Sequence, residues 1–86
     1  MELFCYKVIK FLKTEYPNSY DFKIKFNSDL DTKETITLNI IFDNYTKTIE
    51  NNYMQYIFQL YRQGDFMPER NLYKWQKELV DIIEGS

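Results

Sequence analysis

Residues 20–26 alternate without a break. Tyr20, Phe22, Ile24 and Phe26 are large and apolar, and the residues between them, Asp21, Lys23 and Lys25, are charged. Successive side chains of a strand point to opposite faces, so this pattern predicts a β-strand with one face on a core and the other in water. Residues 35–42 repeat the pattern, with Ile36, Leu38, Ile40 and Phe42 inward, Thr35, Thr37 and Asn39 outward, and Ile41 interrupting the polar face. Asp43–Asn44 follows where a tight hairpin turn fits, because both residues tolerate positive φ. Tyr45–Ile49 reads as a short third strand, and residues 27–34 read as a polar connection.

On either side of this block the period changes. From Glu2 to about Glu15, Leu3, Phe4, Val8, Phe11 and Leu12 recur at helical spacing, with Lys7, Lys10 and Lys13 on another stripe. Pro17 ends that helix. Asn51 or Asn52 is expected to cap a second helix with a broad apolar face of Tyr53, Met54, Ile57, Phe58, Leu60 and Tyr61, stopped by Gly64. Pro68 suits the first turn of a third helix, with Glu69 beside it and Leu72, Trp75, Leu79, Ile82 and Ile83 as the inner face, ending at Gly85. The expected fold is α+β: a single domain over residues 1–86 in the order α-β-β-β-α-α, a three-stranded antiparallel sheet packed against helices.

A chain of 86 residues buries only a little over ~60% of its unfolded surface, so its core needs large side chains. Eight Tyr, seven Phe and one Trp supply them. That is more aromatic surface than a small core needs. Tyr45, Tyr56, Phe66 and Tyr73 are hard to place inside together, and exposed aromatics serve interfaces. The breadth of the second helix's apolar face fits either a partner contact or a place between sheet and third helix.

Catalytic chemistry is poorly provided for. There is no His, the usual proton acceptor near neutral pH. Cys5 lies in an apolar helix, where a thiol is inert. Residues 27–34 have alternating oxygen ligands but lack the Gly and the closing Glu of a calcium loop. With Gly64 and Gly85 alone, no Gly-rich phosphate cradle exists. The expectation is a protein that is not an enzyme and has no cofactor and no metal. The single thiol, and the absence of a signal peptide or a run long enough for a membrane span, point to the cytoplasm of a bacterial host. Ile, Lys, Tyr and Asn dominate and Ala is absent, which points to a low-GC genome such as that of a Gram-positive bacterium or its phage.

A net charge of −2 excludes a strongly basic nucleic-acid binder. Lys7, Lys10, Lys13, Lys23 and Lys25 make the front of the chain basic, but five lysines without Arg leave direct nucleic-acid binding an unfavoured reading. The remainder is acidic, with Asp29, Asp31 and Glu34 in the first connection, Asp43 and Asn44 at the hairpin and Glu50 before the second helix. Asp65 and Glu69 come later in the chain. Such acids serve solubility, or they imitate DNA phosphates and enter a basic groove. With Tyr45 and Phe66 as aromatic anchors, they are the candidate partner-binding residues.

The element order, Ile36-Thr-Leu-Asn-Ile-Ile41 in the central strand, and Glu50-Asn-Asn-Tyr-Met-Gln-Tyr-Ile-Phe-Gln-Leu-Tyr-Arg-Gln-Gly64 resemble a family of small phage-encoded anti-CRISPR proteins that inhibit Cas9. In that family a short helix precedes a three-stranded meander and two helices. The likeness in order spans nearly the whole chain, and that in residues about a quarter of it. It implies a DNA mimic that blocks the groove where the nuclease reads its PAM with guanine-gripping arginines. Asp43, Asn44, Glu50, Asp65 and Glu69 would meet those arginines. The expected function is a phage or mobile-element protein that binds and inhibits a host protein, a CRISPR-Cas nuclease or its ribonucleoprotein complex being the candidate. The alternative is a small structural or regulatory homodimer associating through helices two and three.

Overall fold

The computed structural model describes residues 2–29 and 32–85, and the side chains of all of these except residues 28, 29, 32, 33, 70 and 71. Helix α1 (Glu2–Glu15) leads into strands β1 (Asp21–Asp29), β2 (Thr32–Ile41) and β3 (Thr46–Ile49). Helix α2 (Asn51–Phe66), the short α3 (Pro68–Asn71) and α4 (Lys74–Gly85) follow. The strands form an antiparallel meander in the order β1-β2-β3, with Ile24 opposite Leu38 and Leu38 opposite Ile49. The chain is one α+β domain with the helices on one face of the sheet.

The core comes from the stripes that periodicity marks. Ile36, Leu38 and Ile40 of β2 are fully buried, with Phe22 and Ile49 on the flanking strands. Each long helix adds residues three or four apart: Phe4, Val8 and Leu12; Met54, Ile57 and Leu60; Trp75, Leu79 and Ile83. Helix α2 lies between β2 and α4, and its flank meets α1 through rings. Phe4 packs edge-on to Phe58 at 4.9 Å between centroids and lies 5.2 Å from Tyr61, and Trp75 meets Phe11 at 5.6 Å. The broad apolar face of α2 is thus largely used within the monomer.

Several boundaries depart from the periodic reading. The polar connection expected over residues 27–34 is mostly strand. Asn27 pairs with Thr35, and after a bulge Asp29 pairs with Thr32, because backbone pairing needs no apolar side chain. Asp43–Asn44 does not use positive φ, which no described residue has. The turn is closed instead by Phe42 N–H donating to Tyr45 O at 2.9 Å and by the stacked Phe42 and Tyr45 rings, 4.7 Å apart. Asn51 is the first residue of α2 and not its cap. Glu50 holds the cap position, its carbonyl accepting from Tyr53 and Met54 N–H. Gly64 does not stop α2. It is buried inside it, and Met67 N–H closes the final turn on Gln63 O at 2.8 Å. The third helix is two pieces, with Leu72–Tyr73 between α3 and α4. Tyr20, expected inward, is 78% exposed, because it precedes β1 and its backbone alone reaches β2, donating to Ile41 O at 2.7 Å.

Among the described residues, no helix is long and apolar enough to cross a membrane, and no three His, Cys, Asp or Glu side chains gather as metal ligands do.

Candidate protein-binding surface

Helices α1 and α4 run in the same direction. Phe4 and Trp75 pack together near their starts, and Tyr16 Oη donates to Glu84 Oε1 at 3.4 Å near their ends. Helix α2 runs the opposite way, so its C-terminal turn meets the N-terminal ends of the other two. Its buried stripe Met54, Ile57, Leu60 then falls on Gly64. A stripe position without a side chain leaves space. A hollow of about 260 Å³ opens there, bounded by Leu3, Lys7, Tyr61, Gly64, Asp65, Leu72, Tyr73, Trp75 and Gln76. A second hollow along α1 and α4 shares Tyr73 and Gln76 with it. Tyr73 therefore stands as an exposed aromatic ridge between two depressions.

Large apolar side chains crowd this end of the molecule. Tyr73 is 66% exposed, Phe66 is 79% exposed, and Leu3, Met67 and Leu72 are exposed as well. Polar groups rim them: Lys7 from α1, Asp65 from the end of α2, Glu69 from α3 and Gln76 from α4. Scattered exposed apolar residues are ordinary, but a cluster with a polar rim is the composition of a recognition surface. Burial raises the Tyr61 phenol above its ordinary pKa, and the Asp65 carboxylate raises it further, so the hydroxyl stays protonated and available as a donor. Burial likewise raises the Cys5 thiol. That lowers its thiolate fraction and fits an inert side chain.

The residues singled out from the sequence fall in three separate places. Glu34 and Glu50 sit near the start of α2, where Gln55 Nε2 donates to Glu34 O at 3.0 Å. Asp43, Asn44 and Tyr45 form the β2–β3 turn at the other end of β2, about 30 Å from Glu34 and about 20 Å from Glu50 at the rise of a strand. Asp65 and Phe66 lie in the last turn of α2, with Glu69 in α3, about 24 Å along the helix from Glu50. Asp29 ends β1 and its side chain lies outside the description. Asp31 lies outside the described residues. The acids therefore do not converge on one surface, and the group around Asp65 and Phe66 is the one that adjoins the apolar cluster.

Of the expected exposed aromatics, Tyr45, Tyr56, Phe66 and Tyr73 are all exposed. Leu3 and Leu72 were in phase with buried stripes and are solvent-facing, since Leu3 lies in the first turn of α1 and Leu72 in the link between α3 and α4. Nothing in their spacing marks them. The signals nearest to them were Gly64, which interrupts a stripe of large residues, and Pro68, which starts a new helix within four residues of Leu72. No protein-family model, no curated protein and no solved structure matches this chain.

Proposed function

We propose that this is a non-enzymatic protein that acts by binding another protein through the end of the helical layer built from Leu3, Asp65, Phe66, Met67, Leu72 and Tyr73. The observation that carries the reading is the gathering of exposed Leu3, Leu72 and Tyr73 around the hollow beside Gly64, with exposed Phe66 and Met67 lining a further hollow next to Glu69. Aromatic side chains beside a depression are the usual energetic anchors of protein interfaces, and Asp65 and Glu69 on the rim favour basic groups on the partner. The resemblance in residues 36–41 and 50–64 extends the proposal to an inhibitor of a host protein, with a CRISPR-Cas nuclease as the target class.

The test is DNA cleavage by a purified, guide-loaded CRISPR-Cas nuclease with this protein in molar excess. Cleavage is expected to fall, and Phe66→Ser combined with Tyr73→Ser is expected to restore it. Undiminished cleavage, together with no co-elution in gel filtration, removes the nuclease as the target class.

A further inference from the structure

We infer that the free edge of β1 is a second binding site, one that accepts an extended strand from an acidic partner protein carrying Asp or Glu at alternate positions and apolar residues between them. It lies on the sheet, apart from the helical surface proposed above, and does not depend on that reading.

The hydrogen-bond parity of the sheet identifies the groups at this edge. Phe42 N–H bonds to Tyr45 O, which puts the even-numbered residues of β2 on the β3 side. Ile36 N–H agrees: it points the same way, past the end of β3, and meets Asn51 Oδ1 at 2.7 Å. The odd-numbered residues Thr35, Thr37, Asn39 and Ile41 therefore bond toward β1, where they lie opposite Asn27, Lys25, Lys23 and Asp21. In β1 the even-numbered residues then turn their N–H and C=O groups outward. Phe22 N–H is met by its neighbour's carboxylate, Asp21 Oδ1, at 2.8 Å. Ile24 and Phe26 follow it along the edge, and no strand among the described residues lies beyond them.

The other edge is guarded. Strand β3 has four residues, turns Lys47 inward so that its Nζ donates to Ile83 O, and has α4 beside it. Inward charge, shortness and a covering helix protect a sheet edge, as do edge lysines and bulges, so Lys23 and Lys25 on β1 bar a like-charged strand and leave that edge to an acidic one. Strand β1 is nine residues long and carries a different arrangement. Its helix-side face presents half-buried Ile24 and Phe26, the latter 37% exposed, as an apolar shelf. Its open face presents exposed Lys23 and Lys25. Among the described residues neither lysine has an ion-pair partner.

Charge selects the occupant. A second copy adding antiparallel at this edge would set lysine against lysine in any register centred on residues 23–25, and like charges directly opposite are unfavourable. An acidic strand has the opposite outcome, with each carboxylate beside Lys23 or Lys25 and each apolar residue on the shelf of Ile24 and Phe26. Helix α1 and β1 together hold Lys7, Lys10, Lys13, Lys23 and Lys25 against Glu2, Glu15, Asp21 and Asp29, a basic balance on a chain whose net charge is −2. Main-chain bonds would supply affinity and the alternating side chains specificity.

The test uses the whole protein and a fluorescent peptide of alternating Glu and Val, as long as β1, read by anisotropy and by amide hydrogen exchange. Saturable binding is expected, with the Ile24 and Phe26 amides becoming protected. Ile24→Pro removes an outward N–H while leaving the ladder to β2 in place, and should weaken binding about tenfold or more. Lys23→Glu with Lys25→Glu should reverse the preference toward a Lys–Val peptide. Tyr73→Ser should bind the peptide as wild type does. The inference is overturned by no binding up to about 1 mM. It is equally overturned by unprotected Ile24 and Phe26 amides, or by equal binding of a single-stranded oligonucleotide, which would mark the lysines as a bare electrostatic patch.

Discussion

Asn51 Oδ1 accepts a hydrogen bond from Ile36 N–H at 2.7 Å, joining the first turn of α2 to the central strand. Strand β3 ends at Ile49, so Ile36 has no strand partner on that side, and the side chain of Asn51 takes the place of the missing residue. Asn51→Leu leaves this donor unmet and should cost about 1–3 kcal/mol. Asn51→Asp keeps the acceptor and adds a charge that the helix N-terminus favours, so it should lie within about 1 kcal/mol of wild type. Urea unfolding of the two variants checks the difference.

Phe4 is the ring through which α1 reaches α2 and α4, packing against Phe58, Tyr61 and Trp75 while almost wholly buried. Phe4→Ala should cost about 3–5 kcal/mol. A domain of this size has only about 5–15 kcal/mol in total, so calorimetry should show a large fall in Tm. Tyr73→Ser, at an exposed position, should move stability by no more than about 0.5 kcal/mol.

Tyr16 has its pKa raised, first by burial and then by the Glu84 carboxylate, which accepts a hydrogen bond from its hydroxyl. The folded state thus holds this proton more tightly than the unfolded chain, whose Tyr titrates near ~10. The contribution to stability is complete below that pH and is lost as the pH rises through the folded pKa. Denaturation midpoints should fall in strong alkali for wild type, and the Tyr16→Phe variant should show a shallower fall over the same range.

Gly85 is helical and a Cβ added there meets nothing within 4 Å. Gly85→Ala should therefore leave packing unchanged and gain a few tenths to about 1 kcal/mol from backbone entropy, read as a small rise in Tm.

The layering was legible in the chain because alternation and helical periodicity report burial directly. The stripes Ile36–Leu38–Ile40, Phe4–Val8–Leu12 and Trp75–Leu79–Ile83 are the core. Residues whose placement depends on what lies across from them were not legible. Asn51 looks like a cap from its neighbours and serves β2 because β3 is short. Gly64 looks like a stop and instead leaves a hollow under α1. The candidate acids are close in sequence to turns and helix ends, but sequence position does not reveal that β2 and α2 hold Asp43, Glu50 and Asp65 far apart. Leu3, Leu72 and Tyr73 become neighbours only once α1 and α4 run side by side.

The most direct measurement compares two double variants in quantitative affinity capture from a CRISPR-bearing low-GC bacterial lysate: Phe66→Ser with Tyr73→Ser, and Asp43→Lys with Glu50→Lys. Wild type and the Asp43/Glu50 variant are expected to retain one protein at near-equal stoichiometry, and the Phe66/Tyr73 variant to lose it while remaining folded by circular dichroism. Retention by the Phe66/Tyr73 variant together with loss by the Asp43/Glu50 variant would contradict binding through the helical end and assign it to the hairpin and the start of α2.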